Sequence, residues 1–542
     1  MHLSFKELKG VTRLFSDYLY SFANLAEFFN GDYRELSSFQ NILEQIKAKD
    51  YPRKLLVQIL ADQNQKFGAS PRTLANIEAL KDESCYVVFT GQQIGLLGGP
   101  LYTLYKSLTA IKLSEKLSGQ LGIKVVPIFW MATDDHDFAE INHIFFVDRQ
   151  NSLVKLEYQP EKDWQGWPSA QIILDQNICR TFEILSSSCR QAGYTKPVLE
   201  KLSQFYSAGQ PYYLAFARWM NHILGQYGLI FLNPADPQFK ALLRPIFSAE
   251  LEKNGSLQLL IEKTSQNLET LKYHRQVHKK VGLTNLFYHS PRRLHITKQN
   301  GRFGWEGASP EFGGSELVKL IESSPQNYSA NVLLRPLLES FAFPNLAHVA
   351  GPSEIAYFAQ IRSLHTELGV EMPVIYPRQS FTLLEPETKQ ILTEYQISPP
   401  EIMQDVEQVY TRIIEKKIPA GAEKLLNQTQ AELKRKVEEL SEKILMIQPT
   451  LKPNLEFTQA KIDFEFNKFK EKFFQSYKKQ FKQIKEELYL VQDLLHPQNT
   501  FQERIFSPIH FLSRYGFEFT DFLYQKIDLE NFDHQVLELS ER

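Results

Sequence analysis

The chain has 542 residues, 43% of them hydrophobic, and a formal net charge of −2, enough for two to four domains of about 150 residues each and a sizeable core. The near-neutral balance gives no reason to expect a broad nucleic-acid footprint, and the absence of a secretory leader or an apolar run of roughly 18 residues predicts a chain that neither enters nor crosses a membrane. Cys85, Cys179 and Cys189 are odd in number and lack C-x-x-C spacing, so no disulfide framework or cysteine zinc site is supported and a cytoplasmic location fits.

Residues 1–80 read as an N-terminal helical region: Phe15, Tyr18, Leu19, Phe22 and Leu25 are spaced for one buried face, as are Ile42, Ile46, Leu55, Leu56, Ile59 and Leu60. Residues 81–150 open the core. Tyr86 to Phe89 is a short apolar run ending at Gly91, and a glycine turn with Gly95, Gly98 and Gly99 leads to Pro100, whose fixed φ suits the start of a helix. That helix runs towards Leu117. A second buried strand, Lys124 to Trp130, ends in Thr133, Asp134, Asp135, His136 and Asp137. Strand, glycine turn, helix, strand and polar loop make a βαβ unit in an α/β fold; its strands are parallel, and ligands of such sheets bind beyond the strand C-termini.

Residues 151–210 read as a first insertion of small β and α pieces. The core resumes over 211–275, with a helix Tyr212 to Gln226, a strand Leu229 to Leu232, and a long helix from Phe239 to beyond Leu271. A glycine-rich second insertion follows over 276–325. The last core part, 326–390, should hold strands at Asn331 to Leu334, Leu346 to Val349 and Pro373 to Tyr376. The second of these enters a helix through Ala350-Gly351-Pro352-Ser353-Glu354, whose free amides could meet an anion. Over 391–495 Leu426, Thr429, Leu433, Val437, Leu440 and Ile444 step by three and four, as do Phe466, Phe469, Phe473, Tyr477, Phe481, Ile484, Leu488, Val491 and Leu495. Pro449 and Pro453 break the two runs into an antiparallel helical hairpin, and its spare apolar stripe predicts a homodimer. Residues 496–542 return to mixed polar and aromatic text.

The acidic cluster carries most of the chemistry. Ionisable groups in succession at a strand end must face solvent, one another or a ligand. His136 reads as a proton donor or acceptor oriented by Asp135 or Asp137, with a hydrogen-bonded structural histidine as the alternative. His136, Glu140 and His143 could share a helix face, but their spacing is not that of an established metal motif, and no metal site is assigned. The turn Gly91 to Gly99 matches neither a dinucleotide fingerprint nor a P-loop; a plain tight turn and an anion site both fit it, and Lys106 lies two turns into the helix behind it.

The stretches GQQIGLLGGPLYTLYKS, FWMATDDHDFAEINH, HVAGPSEIAYFAQ, PRQS followed by FTLLEP, and HPQNTFQERI occur in the order seen in the bacillithiol-biosynthesis cysteine-adding enzyme family, BshC, which the chain resembles over nearly its whole length. The resemblance implies a Rossmann-like core similar to class I aminoacyl-tRNA synthetases, two insertions and a C-terminal coiled coil for dimerisation. It implies a ligase joining the cysteine carboxyl to the amine of glucosaminyl-malate, with ATP and magnesium by analogy and no zinc. On this reading His136, Asp135 and Asp137 are catalytic. Gln92, Asp134, Asn142, Tyr105, Arg378 and Ser380 bind substrate, and Gly98, Gly99, Lys106, Gly351, Ser353 and Glu354 bind a nucleotide or anion. The chain departs from the pattern in having Asp134 in place of a glutamate, Ala350 in a GGPGE-like element, and Gln498-Asn499 in place of a glycine. Two other classes stay open: a non-catalytic nucleotide-responsive coiled-coil scaffold, and a tRNA-charging synthetase, for which neither the charge nor a class I signature speaks.

Overall fold

The computed structural model describes residues 1–308, 311–417 and 420–540. They form two compact units: Met1–Thr382 with Thr500–Leu537, and Leu383–Asn499 with residues 538–540.

In the first unit the apolar runs become a five-stranded sheet. Its strands lie side by side as Val374–Pro377, Asn345–Ala350, Cys85–Gln92, Lys124–Met131 and Ile230–Leu232, every neighbouring pair parallel. The first crossover helix, Leu101–Leu121, buries Leu101, Leu104, Leu108, Ile111 and Leu117 and ends at Gly122 in the left-handed conformation. The second, Pro352–Glu367, links the strands on the other side of the sheet. The chain therefore reverses direction across the sheet between Cys85–Gln92 and Asn345–Ala350, which opens a crevice at the strand C-termini. Among the described residues no helix is long and apolar enough to cross a membrane.

The expected helical start is present as Arg13–Tyr20, Leu36–Lys47, Arg53–Lys66 and Pro71–Ala79. The region expected as the first insertion, 151–210, holds strand Leu153–Glu157 and the helices Asn177–Ser188 and Thr195–Phe205, and the strand pairs antiparallel with His143–Val147, which lies before that region. The region expected as the second, 276–325, supplies three strands of an antiparallel sheet in the order Tyr328–Ala330, Leu283–His289, Arg293–Gln299, Arg302–Trp305, whose first member lies beyond that region.

Two sequence expectations in this unit are corrected. The single helix from Phe239 is three helices, Pro237–Leu242, Arg244–Glu252 and Asn254–Thr270, because Pro245 restarts the chain at a first turn and Lys253 breaks the next junction. Asn331 to Leu334 is a turn and not a strand: the Asn331 Oδ1 accepts the backbone N–H groups of Leu333 and Leu334 and leads into helix Arg335–Ala342. The strand lies just before it, at Tyr328–Ala330, in the inserted sheet.

In the second unit helices Ala420–Ile447 and Lys452–Lys479 run antiparallel, as the cross-links Gln430 to Asn467 and Lys470 to Asn427 show. The second apolar run is not continuous: it stops at Lys479 and resumes as Lys482–Leu495. None of the described residues of the two long helices is buried. Leu426, Val437, Ile444, Phe466 and Phe473 are half-buried along the seam, whereas Leu433, Leu440 and Phe469, expected there, are exposed.

Candidate functional site

A cavity of about 690 Å³ occupies the crevice. Gly91 and Gln92 line it from the first core strand, Asp134 and Asp135 from the loop after Lys124–Met131, Gly351 to Glu354 from the start of the second crossover helix, and Arg378 from beyond Val374–Pro377. The inserted sheet supplies Phe287 and Arg293 as a facing wall, with the loop Val277 to Lys280 beside it; Arg504 comes from the closing segment. The strands leading to Arg378 and to Asp134 are three positions apart in the sheet, about 14 Å at about 4.8 Å per strand. Asp134 and Asp135 therefore enter the cavity from one side and Arg378 from the other.

Charge here is organised in pairs. Lys106 Nζ lies 2.6 Å from Glu354 Oε2, Lys240 Nζ 2.6 Å from Asp134 Oδ2, Arg293 Nη1 3.3 Å from Asp135 Oδ1, Arg335 Nη1 3.1 Å from Glu339 Oε1, and Arg378 Nη2 2.6 Å from Glu503 Oε1. Each pair offsets the desolvation of its cation and fixes its direction. Lys106 also donates to the Gly91 carbonyl and to Gln92 Oε1. Glu354 Oε2 accepts the Gly351 N–H at 2.8 Å, so one carboxylate caps the helix and holds the lysine. Burial alone would raise the Glu354 pKa, but the charges of Lys106, His348 and Arg335 bring it below the usual range. Burial also works against ionised Asp135, yet hydrogen bonds from His136 and Gln93 and the Arg293 charge hold its carboxyl well below the usual range. Glu140 shares Gln93 with it, and burial pushes Glu140 up.

The structure brings Gln92, Asp134, Asp135, Lys106, Gly351, Ser353, Glu354 and Arg378 to this cavity. Asp134 Oδ1 is shielded from solvent and has no hydrogen-bond partner, so it can accept from a ligand. His136 stands behind the wall. Its Nδ1 lies 3.2 Å from Arg293 Nη1 and 3.4 Å from Asp135 Oδ1, so according to its tautomer it accepts from the guanidinium or donates to the carboxylate.

The remaining expected residues lie elsewhere. Asp137 is exposed and caps the short helix Phe138–Ile141 through the Glu140 N–H. Asn142 donates to Glu157 in the inserted hairpin. Tyr105 is buried edge-on to Phe381, facing away from the cavity that Tyr102, three residues earlier, lines. Ser380 donates to Glu503 Oε2 and so supports the Arg378 pair from behind. Gly98 and Gly99 do not line the cavity. Their φ values of +100° and +73° make the turn, their N–H groups go to Gly95 and Leu96, and the Leu101 N–H goes to the Phe506 carbonyl, so these three amides are already taken. Among the described residues no group of three or more His, Cys, Asp or Glu is placed to hold a metal ion.

Sequence reasoning missed Lys240, Arg293, Arg335 and Glu339. Isolated charges in apolar text were the available signal: Arg335 and Glu339 stand four apart in Arg335–Ala342, the spacing of a helical ion pair.

These features define an α/β protein with a Rossmann-like parallel sheet, a ligand cavity at its topological switch point and a separate helical-hairpin unit. The bacillithiol biosynthesis BshC N-terminal Rossmann-like domain matches residues 1–379 and the BshC C-terminal coiled-coil domain matches residues 381–539; the chain belongs to the bacillithiol biosynthesis BshC family. It is 30% identical over 526 residues to a protein of Salinibacter ruber named "Putative cysteine ligase BshC", covering 97% of this chain and 96% of that one. A protein of the same name from Natranaerobius thermophilus is 32% identical over 522 residues, 95% of each chain. Another, from Chlorobaculum tepidum, is 28% identical over 534 residues, 94% of this chain and 93% of that one.

Proposed function

We propose that this protein is a cysteine ligase that performs the last step of bacillithiol synthesis, joining the cysteine carboxyl to the amine of glucosaminyl-malate as an amide. The observation that carries this reading is a single cavity at the strand ends that presents the unpartnered Asp134 Oδ1 from one side and Arg378 from the other, suited to ligands that bear both ammonium and carboxylate groups. The family's name supports the product, and the relatives' name supports the acyl donor.

The chemistry sets further requirements. A free carboxylate is a poor acyl donor, so it must first be activated, and we assign that to ATP with magnesium, which would give an acyl-adenylate with release of pyrophosphate or an acyl phosphate with release of ADP; the amine then displaces AMP or phosphate. The first turn of helix Pro352–Glu367, where Ser353 is exposed next to the Glu354 that takes the Gly351 N–H, is the position where helix polarity would favour phosphate. Asp134, through its unpartnered Oδ1, and Asp135 would take an ammonium or sugar hydroxyl, while Arg378 would offer the N–H groups not used by Glu503 and the Gln379 carbonyl to a carboxylate. A cytoplasmic location and a homodimer through the helical hairpin belong to the same reading.

Mass-spectrometric detection of bacillithiol from purified protein, glucosaminyl-malate and cysteine, with and without ATP and magnesium, tests it. Product that depends on ATP is expected. Folded protein that binds both substrates and forms no product under any of these conditions would overturn the ligase reading.

A further inference from the structure

Five cations at or behind the cavity wall have carboxylate partners within 4 Å: Lys106, Lys240, Arg293, Arg335 and Arg378. Lys279 breaks this pattern. It lines the cavity from the loop between helix Asn254–Thr270 and strand Leu283–His289, and its Nζ is shielded from solvent with no hydrogen-bond partner. The loop is tied in place: the Val277 N–H donates to Gln360 Oε1 at 2.9 Å, and Gln360 Nε2 donates to the Val277 carbonyl at 3.2 Å. Gln360 belongs to the crossover helix that opens into the same cavity.

The acid that acts on Lys279 is Glu250, and it is already engaged. Its oxygens accept from Asn254 Nδ2, the Asn285 N–H and Asn285 Nδ2, at 2.8 to 3.0 Å. An ammonium shielded from water without a partner is costly, and an anion brought into the cavity would remove that penalty. We propose that Lys279 is a specificity-determining contact for an anionic oxygen group of the substrate. Resting on the ligase reading, we place a carboxylate of the acceptor there; a phosphate of the activating nucleotide has the same chemistry. Burial pulls the Lys279 ammonium down to about 8, so it is still mostly charged at neutral pH, and a bound anion would hold the proton in place.

The test uses full-length protein and the variants Lys279→Met and Lys279→Arg. Calorimetry would measure binding of glucosaminyl-malate, of its dimethyl ester and of ATP with magnesium. The wild type should prefer the acid to the ester, and Lys279→Met should shrink that preference at least tenfold by weakening the acid alone, with Lys279→Arg restoring most of it. The ligand-free Lys279→Met protein should melt no lower than the wild type, because it has lost an unpaired buried charge. Loss confined to ATP upholds the contact and assigns it to phosphate. Equal weakening of acid and ester, no weakening of any ligand, or a lower melting temperature overturns the proposal. Should the wild type bind the acid and show this dependence yet form no product, the ligase reading fails while the Lys279 contact stands.

Discussion

A buried charge at this site depends on its partner. Lys240 and its partner Asp134 are the clearest case: the lysine side chain is 1% exposed, and it also donates to the Tyr328 carbonyl. Replacing Asp134 alone, as Asp134→Ala, leaves that ammonium uncompensated and should cost about 3 kcal/mol of unfolding free energy. Adding Lys240→Met should recover a good part of the loss. Urea denaturation of the two single variants and the double variant checks this, and additive losses would show that the pair is not coupled. Asp135 makes a different prediction, in pH. Its folded pKa lies below its ordinary value near 3.9, so the stability it contributes is present above about pH 4 to 5 and is lost as pH falls towards the folded value. The fall in melting temperature from pH 5 to pH 3 should therefore be shallower in Asp135→Asn than in the wild type; equal slopes would mean that Asp135 is not held down by His136, Gln93 and Arg293.

Elements inherit their conformations from such local contacts, and the turn after Lys482–Leu495 shows it. Gln498 sits at φ +51° and Asn499 at +56°. The left-handed region costs a non-glycine residue about 1–2 kcal/mol, of which glycine's extra chain entropy gives back roughly 0.5–1 kcal/mol, while asparagine tolerates the region. Gln498→Gly should therefore raise the unfolding free energy by up to about 1 kcal/mol in urea titration, and a loss would mean that the Gln498 side chain makes a compensating contact. The core elements were legible for the same local reason. Tyr86 to Phe89 and Lys124 to Trp130 are apolar runs bounded by glycine or charge, and Pro100 and Pro352 mark helix starts. Asn331 to Leu334 misleads because Val332, Leu333 and Leu334 look like a strand, whereas the outcome turns on one side-chain oxygen capping the next helix. Half of the site was legible too: Asp134, Asp135, Lys106 and Glu354 stand in motifs at strand ends. Their partners were not, because Lys240 lies 106 residues from Asp134, Arg293 158 from Asp135, and Glu503 125 from Arg378. Periodicity carries no information about which distant charges meet. Nor does it show that the Phe506 carbonyl has already taken the amide at Leu101.

On the scale of the whole molecule, the helical hairpin is the part that cannot be stable for the reasons that stabilise the core. Its two long helices have 28 residues each, about 42 Å at 1.5 Å per residue, and none of their described residues is buried. Helices of this kind draw most of their stability from packing an apolar face, and here apolar side chains stand in water: Phe457 is 70% exposed and Phe464 63%. The two are seven residues apart on Lys452–Lys479 and so share a face, which is the spacing a second copy's helix would meet. A homodimer that covers this face is the expected assembly. Phe457→Glu with Phe464→Glu in the full-length chain should convert it to a monomer in analytical ultracentrifugation at micromolar concentration. Substitutions at exposed positions usually change stability by no more than about 0.5 kcal/mol, so the catalytic unit should keep its melting temperature. A wild-type monomer, or a dimer that persists in the double variant, would show that this face is not the interface.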